Sequence, residues 1–352
     1  MFSLNALMAV AAILLAPCIV DGTNIPESTE PFEVKVVVVK YFPLQGDKID
    51  ITVTGDVNGT LDAMRKHTDK ITEEVIYAME EGSRYRGYKD KAAKPSLDFN
   101  VVKTYEFLER LPTVKTDKPE APWTDYNAIM ERIDGKDWVE KQNVKEVWIY
   151  GYHGGKVNLW ESNMAGPYGD ISNSSCSLDD LPKYSKTVTV YHYNYQRGRG
   201  EALEDHMHQM EAVLNHVDGR DKTPPNEWSK LLYWGKYVGS DRSHRMVATS
   251  EGFYRCGWSH VPPAGDSDYD WGNKKVVKSD IEDWRPDGSG EKKDITSEIW
   301  KGDSYLWFIY WMQSMPGKDS GLKFEGKKLR NWWIFIGDFD SAMKKKMTLV
   351  EE

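Results

Sequence analysis

The spacing of hydrophobic positions predicts alternating strands and helices in the first two thirds of the chain. Residues 33–42 include four consecutive valines, which are typical of a strand buried on both faces. Further hydrophobic runs predict strands at 51–54, 97–107 and 144–152. After Thr60, which we expect to cap a helix, hydrophobic residues recur at steps of three and four and predict a long helix.

A strand, a glycine-rich turn and a helix follow one another between residues 187 and 217. The strand alternates two sets of side chains, Val188, Val190, His192 and Asn194 on one face and Thr189, Tyr191, Tyr193 and Tyr195 on the other. Gly198 and Gly200 permit a sharp turn before a helix that is predicted to begin near Glu201. The helix has a core stripe of Leu203, Met207, Met210, Leu214 and Val217. This order of elements predicts an α/β fold with a mostly parallel central sheet flanked by helices.

The pattern changes after residue 219, where loops lengthen and tryptophan becomes frequent. We expect residues 33–219 to form the α/β core and residues 220–352 to form a Trp-rich, loop-rich C-terminal region packed on it. Helices are predicted near 227–237 and 304–314. Trp300, Trp307 and Trp311 share one helical face, which core packing explains best, whereas a surface for stacking carbohydrate needs exposed rings.

The N-terminus predicts export. Residues 1–22 contain an uncharged apolar run too short to span a membrane, and we interpret them as a signal peptide followed by a disordered leader at 23–32. No later stretch is long enough to cross a bilayer. In an oxidising compartment Cys176 and Cys256 are expected to form one disulfide. Asn58 and Asn173 lie in glycosylation sequons.

The composition limits the choice of partners. The formal net charge of −9 is mildly acidic, which disfavours nucleic acid and anionic membranes. For a secreted protein of this kind, glycans or components of the extracellular matrix are the partners that we expect.

The polar face of the helix after the glycine turn allows two interpretations. Glu201, Glu204, His208 and Glu211 recur there at helical spacing. The amphipathic pattern alone would place them in solvent. Alternatively, if this end of the helix lies at the carboxyl edge of the sheet, Glu204 and His208 are one turn apart and could bind a divalent cation such as Zn²⁺.

A second strand ends in a similar way. The strand at 144–152 runs into His153-Gly154-Gly155, and Glu161 follows. If the two strands are parallel neighbours, Glu161 is brought near Arg197 and Glu204, and one crevice could hold all three. The competing interpretation is that Glu161 forms a structural salt bridge with an arginine.

Asp266, Asp268 and Asp270 alternate along one loop and could direct three carboxylates at a Ca²⁺ ion. The loop lacks the glycine and glutamate positions of an EF-hand, so a plain acidic turn is the simpler interpretation. His260, just before Pro262-Pro263, is either a further crevice residue or a polar loop residue.

No complete catalytic signature is present, since the P-loop, the H-E-x-x-H helix and the G-x-S-x-G turn are all missing. This favours a secreted, non-enzymatic matrix or surface component that binds cations or glycans, for example in calcified matrix. The alternative is a secreted metal-assisted or acid–base hydrolase with its site at residues 153–163 and 192–208. There Glu204 and His208 would be ligand or general base, Glu161 a second carboxylate and Arg197 a charge stabiliser. A third hypothesis is a glycan-acting enzyme with Glu161 and Glu204 as paired carboxylates.

Overall fold

A computed structural model describes residues 30–55, 59–114, 122–154, 156–172 and 179–351. Its centre is a six-stranded sheet. The strands are β1 (Phe32–Tyr41), β2 (Leu97–Phe107), β3 (Val144–Gly151), β4 (Ser162–Ala165), β5 (Ile171–Ser172) and β6 (Val188–Asn194). Their order in the sheet is β2-β1-β3-β6-β4-β5. The first four are parallel neighbours, while β4 pairs antiparallel with β6 and with β5. The predicted α/β class with a mostly parallel sheet is confirmed.

Six α-helices of six residues or more are described: α1 (Leu61–Gly82), α2 (Tyr126–Arg132), α3 (Gly135–Glu140), α4 (Arg199–Val217), α5 (Ser304–Met312) and α6 (Phe339–Lys344). Short α-helical turns and segments of 3₁₀ or π helix lie at Ile51–Thr54, Arg220–Lys222, Pro225–Lys230, Leu232–Val238, Ile281–Asp283, Ser297–Trp300 and Ile334–Gly337. Four small antiparallel pairs complete the set, namely Leu44–Gln45 with Lys48–Ile49, Thr113–Val114 with Trp123–Thr124, Val277–Ser279 with Lys293–Ile295, and Lys323–Phe324 with Lys327–Lys328.

Two predicted elements were wrong. Ile51–Thr54 is one helical turn rather than a strand, because the Asp50 carboxylate accepts the Thr52 amide hydrogen and caps the turn. The continuous helix expected at 227–237 is broken at Leu231, which has an extended backbone between a 3₁₀ turn and a π-type turn.

Contacts across the sheet show which helix covers which face. Tyr191 stacks on the His206 ring of α4, with ring centroids 3.8 Å apart, whereas the His192 Nδ1 atom lies 3.2 Å from the Tyr126 hydroxyl of α2. Side chains of β6 therefore alternate between the two faces as predicted. Tyr150 of β3 reaches Thr72 of α1, which places α1 on the same face as α4.

Helix α4 is buried on nearly every side. Its stripe residues Leu203 and Met207 face the core, but Glu204, His208 and Glu211 on the opposite side are buried too. The solvated interpretation was therefore wrong for these three residues and is confirmed only for Glu201, which is exposed. The reason is tertiary, since the chain after α4 returns over this face and its Ser259 amide donates to Glu211.

The tryptophans that we expected in the core are there. Trp300, Trp307 and Trp311 are at most 1% exposed. Within the described residues, we find no helix with the length and hydrophobicity that a membrane crossing requires.

Candidate metal centre

The site is built where β3 and β6 end and α4 begins. The two strands are parallel neighbours, so the segments that follow them emerge at the same edge of the sheet. Gly198 caps the start of α4, and its amide donates to the Glu201 carboxylate three residues later, which orders the first turn. One turn further, Glu204 and His208 point away from the sheet, toward the loop that carries His260.

Three side chains converge there. The Nε2 atom of His260 lies 2.7 Å from Glu204 Oε1 and 2.7 Å from His208 Nε2, and the third distance, from His208 Nε2 to Glu204 Oε1, is 3.8 Å. Among the described residues, this is the one group of three or more His, Cys, Asp or Glu whose donor atoms all lie close enough to share an ion.

These distances fit a small divalent cation. Donor atoms around a tetrahedral zinc ion, with bonds of about 2.0–2.1 Å, are roughly 3.3 Å apart. The three observed separations lie on either side of that value, so small side-chain rotations would suffice. Two imidazoles and one carboxylate are also the donor set of several catalytic zinc sites, which leave a fourth position open.

In each of the two imidazole rings, the Nδ1 atom is directed away from the centre and faces a carboxylate. His208 presents Nε2 to the centre and Nδ1 to Glu161, whose Oε2 is 2.9 Å away. His260 likewise presents Nε2 to the centre, and its Nδ1 lies 4.0 Å from Asp268 Oδ1. A carboxylate behind a ligating histidine sets the tautomer and orients the ring, and such partners are usual at metal sites.

The electrostatics favour a positive charge at this point. The hydrogen bond with His208 holds the pKa of Glu161 below its usual value. Burial lowers the pKa of His208, but the Glu161 hydrogen bond and the charges of Glu211 and Glu204 outweigh burial and leave this pKa raised. Burial raises the pKa of Glu211. The surrounding carboxylates therefore favour a cation at the cluster, and binding of a metal ion would compete with protons for the same side chains.

Two cavities adjoin the cluster. One, of about 360 Å³, is lined by the ends of β3 and β6 and the first turns of α4, and it includes Glu161 and Asp205. The other, of about 540 Å³, includes His208 and His260 themselves. Tyr269 stands over the His260 ring, with centroids 4.3 Å apart, and is 56% exposed. The candidate centre is thus accessible from a concave surface, as a ligand site requires.

Most of the sequence-predicted residues meet here. Glu161, Glu204 and His208 are within one hydrogen-bonded cluster. Arg197 lines the smaller cavity and lowers the pKa of Glu161 by its charge, but it is an exposed residue. The alternative of a structural salt bridge fails for Arg199, which pairs with Glu74 instead.

The three alternating aspartates do not converge. Asp266 pairs with Lys275, and Asp270 accepts a hydrogen bond from Asn273. Asp268 faces His260 instead. No group of three donors forms among them within the described part of the chain, so the loop geometry gives the predicted Ca²⁺ site no support.

Cys256 is a free thiol with no exposed surface, and burial raises its pKa well above the usual value. At Cys256, the structure therefore gives the predicted disulfide no support. Several predicted features lie outside the described residues, namely the signal peptide, Cys176 and the two sequon asparagines Asn58 and Asn173.

Sequence reasoning left His260 undecided, and the structure makes it a central residue. It lies 52 residues after His208, with no periodic pattern joining the two. The available signal was local: an imidazole shortly before two prolines and a run of aspartates.

No family model, curated protein or solved structure matches this chain.

Proposed function

We propose that this protein is a metal-dependent hydrolase that binds a zinc-class ion through Glu204, His208 and His260. The observation that carries the proposal is the convergence of their three donor atoms, at separations of 2.7, 2.7 and 3.8 Å. The Glu161 carboxylate behind His208 supports the same assignment.

The number of ligands favours catalysis over a purely structural ion. Structural zinc sites are closed by four protein ligands, whereas catalytic sites have three and leave a position for water or substrate. Three donors are present in the described residues, and both adjoining cavities offer room for a substrate.

Each side chain has a separate task in this proposal. When bound, a zinc-class ion lowers the pKa of its water to about 7 and polarises a carbonyl or phosphoryl oxygen. Glu161 orients the His208 ring through Nδ1. Arg197, at the cavity wall, supplies positive charge to a developing oxyanion.

The paired-carboxylate glycosidase is the weaker candidate. Glu161 and Glu204 face opposite nitrogens of the His208 ring, so an imidazole lies between them. A glycosidase needs the sugar in that space.

Location and substrate class extend the proposal. The apolar N-terminus supports secretion, and the net charge of −9 argues against nucleic acid as substrate. Glycans and extracellular matrix components are the polymers that a secreted hydrolase would meet.

The first test is the metal content of the purified protein, measured by mass spectrometry. We expect about one zinc-class ion per chain, and loss of that ion in Glu204→Ala, His208→Ala and His260→Ala. His216→Ala, a change near the end of α4 at a histidine that pairs with Asp221, is the matched control and should retain the ion. Unchanged metal content in all four variants would falsify the site.

The second test is hydrolysis of chromogenic esters, peptides, glycosides and phosphodiesters, with and without a chelator. Cleavage that is lost on chelation and restored by zinc supports the hydrolase. A protein that retains its ion but cleaves none of these is instead the cation-binding matrix component that composition favours.

A further inference from the structure

The smaller cavity contains a carboxyl group that has no partner. Asp205 is 8% exposed and lines the cavity of about 360 Å³ beside the metal cluster. No hydrogen bond or ion pair joins its carboxyl to any described residue, and burial, with the charges of Glu161 and Glu204, raises the pKa of Asp205 well above its usual value. The charged form of a buried carboxyl is costly unless it is paired or hydrogen-bonded, so a cation bound in the cavity would stabilise that form of Asp205.

Three other acidic side chains among the described residues do have partners. Glu211 accepts from the Ser259 amide, Asp218 accepts from the Tyr233 amide, and Asp280 pairs with Arg255. Asp180 also has buried carboxylate oxygens without a hydrogen-bond partner, but it lines neither of the two cavities beside the metal cluster, whereas Asp205 does.

A second buried group on the same cavity also lacks a partner. His192 is 1% exposed, its Nδ1 atom lies by the Tyr126 hydroxyl, and its Nε2 atom has no hydrogen bond. Burial lowers the pKa of His192 to about 3, so the ring is neutral and adds no positive charge to the cavity. The His192 ring can therefore line the same cavity as Asp205, but it cannot supply a positive charge to pair with that carboxyl.

The charge of the cavity wall points to the missing partner. Among the described residues that line the cavity, Glu161, Glu201 and Asp205 are acidic and Arg197 alone is a lysine or arginine. Trp160 adds an aromatic ring, which attracts cations. A second metal ion is not favoured, since the donor atoms here are not grouped closely enough to share one. The volume also exceeds what a bare ion needs.

We propose that this cavity binds the cationic group of the substrate, a primary amine or guanidinium, with Asp205 as its principal partner. The inference rests on the proposed hydrolase, because Glu161 both lines this cavity and contacts His208 of the metal centre. The hydrolase would then act next to a lysine-like, arginine-like or amino-sugar group.

The test uses n-butylguanidinium and its neutral counterpart n-butylurea as probes of the full chain, with affinities from titration calorimetry. We expect the cation to bind the wild-type protein at least about tenfold more tightly than the urea. In Asp205→Asn this preference should fall to about onefold to twofold. Equal affinities in the wild type, or an undiminished preference in Asp205→Asn, would overturn the proposal.

A second variant acts in the opposite direction and does not depend on the folding of Asp205→Asn. Arg197→Ala removes the like charge from an exposed position, so it should strengthen binding of n-butylguanidinium several-fold. Weaker binding in Arg197→Ala would contradict a cation site.

The same measurements separate this proposal from the metal proposal. Asp205→Asn and Arg197→Ala should retain the ion, and His260→Ala should lose it while still preferring the cation over the urea. Retained metal with no cation preference would refute the cation site alone. A cation preference without any bound metal would refute the metal centre and leave the cavity assignment intact.

Discussion

The contact between Glu161 and His208 offers the sharpest test of the metal centre, because it concerns a residue that would never touch the ion. Glu161→Gln preserves the size of the side chain and its ability to hydrogen-bond His208 Nδ1, but it removes the negative charge. If His208 is a ligand, the neutral amide makes the ring a poorer donor and orients it less firmly. Metal affinity should fall while the three ligands remain in place.

The magnitude follows from the geometry. Loss of a carboxylate behind a ligating histidine typically costs about 10–100-fold in metal affinity, or about 1.4–2.7 kcal/mol. The Glu161 side chain is 43% exposed, so solvent already screens part of its charge. We therefore expect a loss near the lower limit, about tenfold. Asp268 lies further from its histidine, at 4.0 Å, and is 61% exposed, so Asp268→Asn should cost less than about threefold.

The assay is a competition for zinc between the metal-free protein and a chromophoric chelator of known affinity. Wild type, Glu161→Gln and Asp268→Asn are measured side by side, and Glu227→Gln, at an exposed ion pair with Lys230, is the control. Thermal unfolding of the metal-free proteins checks that the fold is unchanged.

Two results would refute the reasoning. Identical zinc affinities for wild type and Glu161→Gln would mean that His208 does not bind the ion through Nε2 with Glu161 behind it. An equal loss in the Glu227→Gln control would show a nonspecific effect of charge.

Further predictions concern the buried charges. Burial raises the pKa of Glu146 to about 8, above its unfolded value of 4.5. Between these two pH values the folded state retains a proton that the unfolded state loses. The free energy of unfolding should therefore fall as pH rises from 4.5 to 8. Glu146→Gln, which can still accept the Trp148 indole hydrogen, should remove this decline and unfold at pH 9 with a free energy about 5 kcal/mol above wild type in urea titrations. Arg255→Met leaves Asp280 buried without its partner and should cost about 3–5 kcal/mol, part of which is recovered when Asp280→Asn is added. Cys256 should react with a thiol reagent only after unfolding, without any reductant.

Each of these has a contradicting outcome. A Glu146→Gln variant with the same pH dependence as wild type would show that this carboxyl is not protonated in the fold. An additive double variant of Arg255 and Asp280 would show that the two side chains do not interact. If unfolded, unreduced protein shows no reactive thiol, Cys256 is in the disulfide that was expected from the export signal.

Local pattern was sufficient for most of the frame. Which side chains an element buries is visible in a short stretch of sequence. Examples are the valine run of β1, the alternation of β6 and the hydrophobic stripe of α4. The helical turn at Ile51–Thr54 was wrongly predicted as a strand, because a single capping carboxylate rather than the hydrophobic pattern determines its conformation.

The candidate site also has a part that local sequence predicts and a part that depends on long-range packing. Sequence alone placed Glu204 and His208 one turn apart and suggested that Glu161 would join them at the carboxyl edge of the sheet, because helical spacing and parallel strand ends follow from local rules. Only the tertiary structure added His260 and buried the polar face of α4. Both depend on how a loop some 50 residues away in sequence packs over the helix, and long-range packing of this kind leaves no periodic trace in the chain.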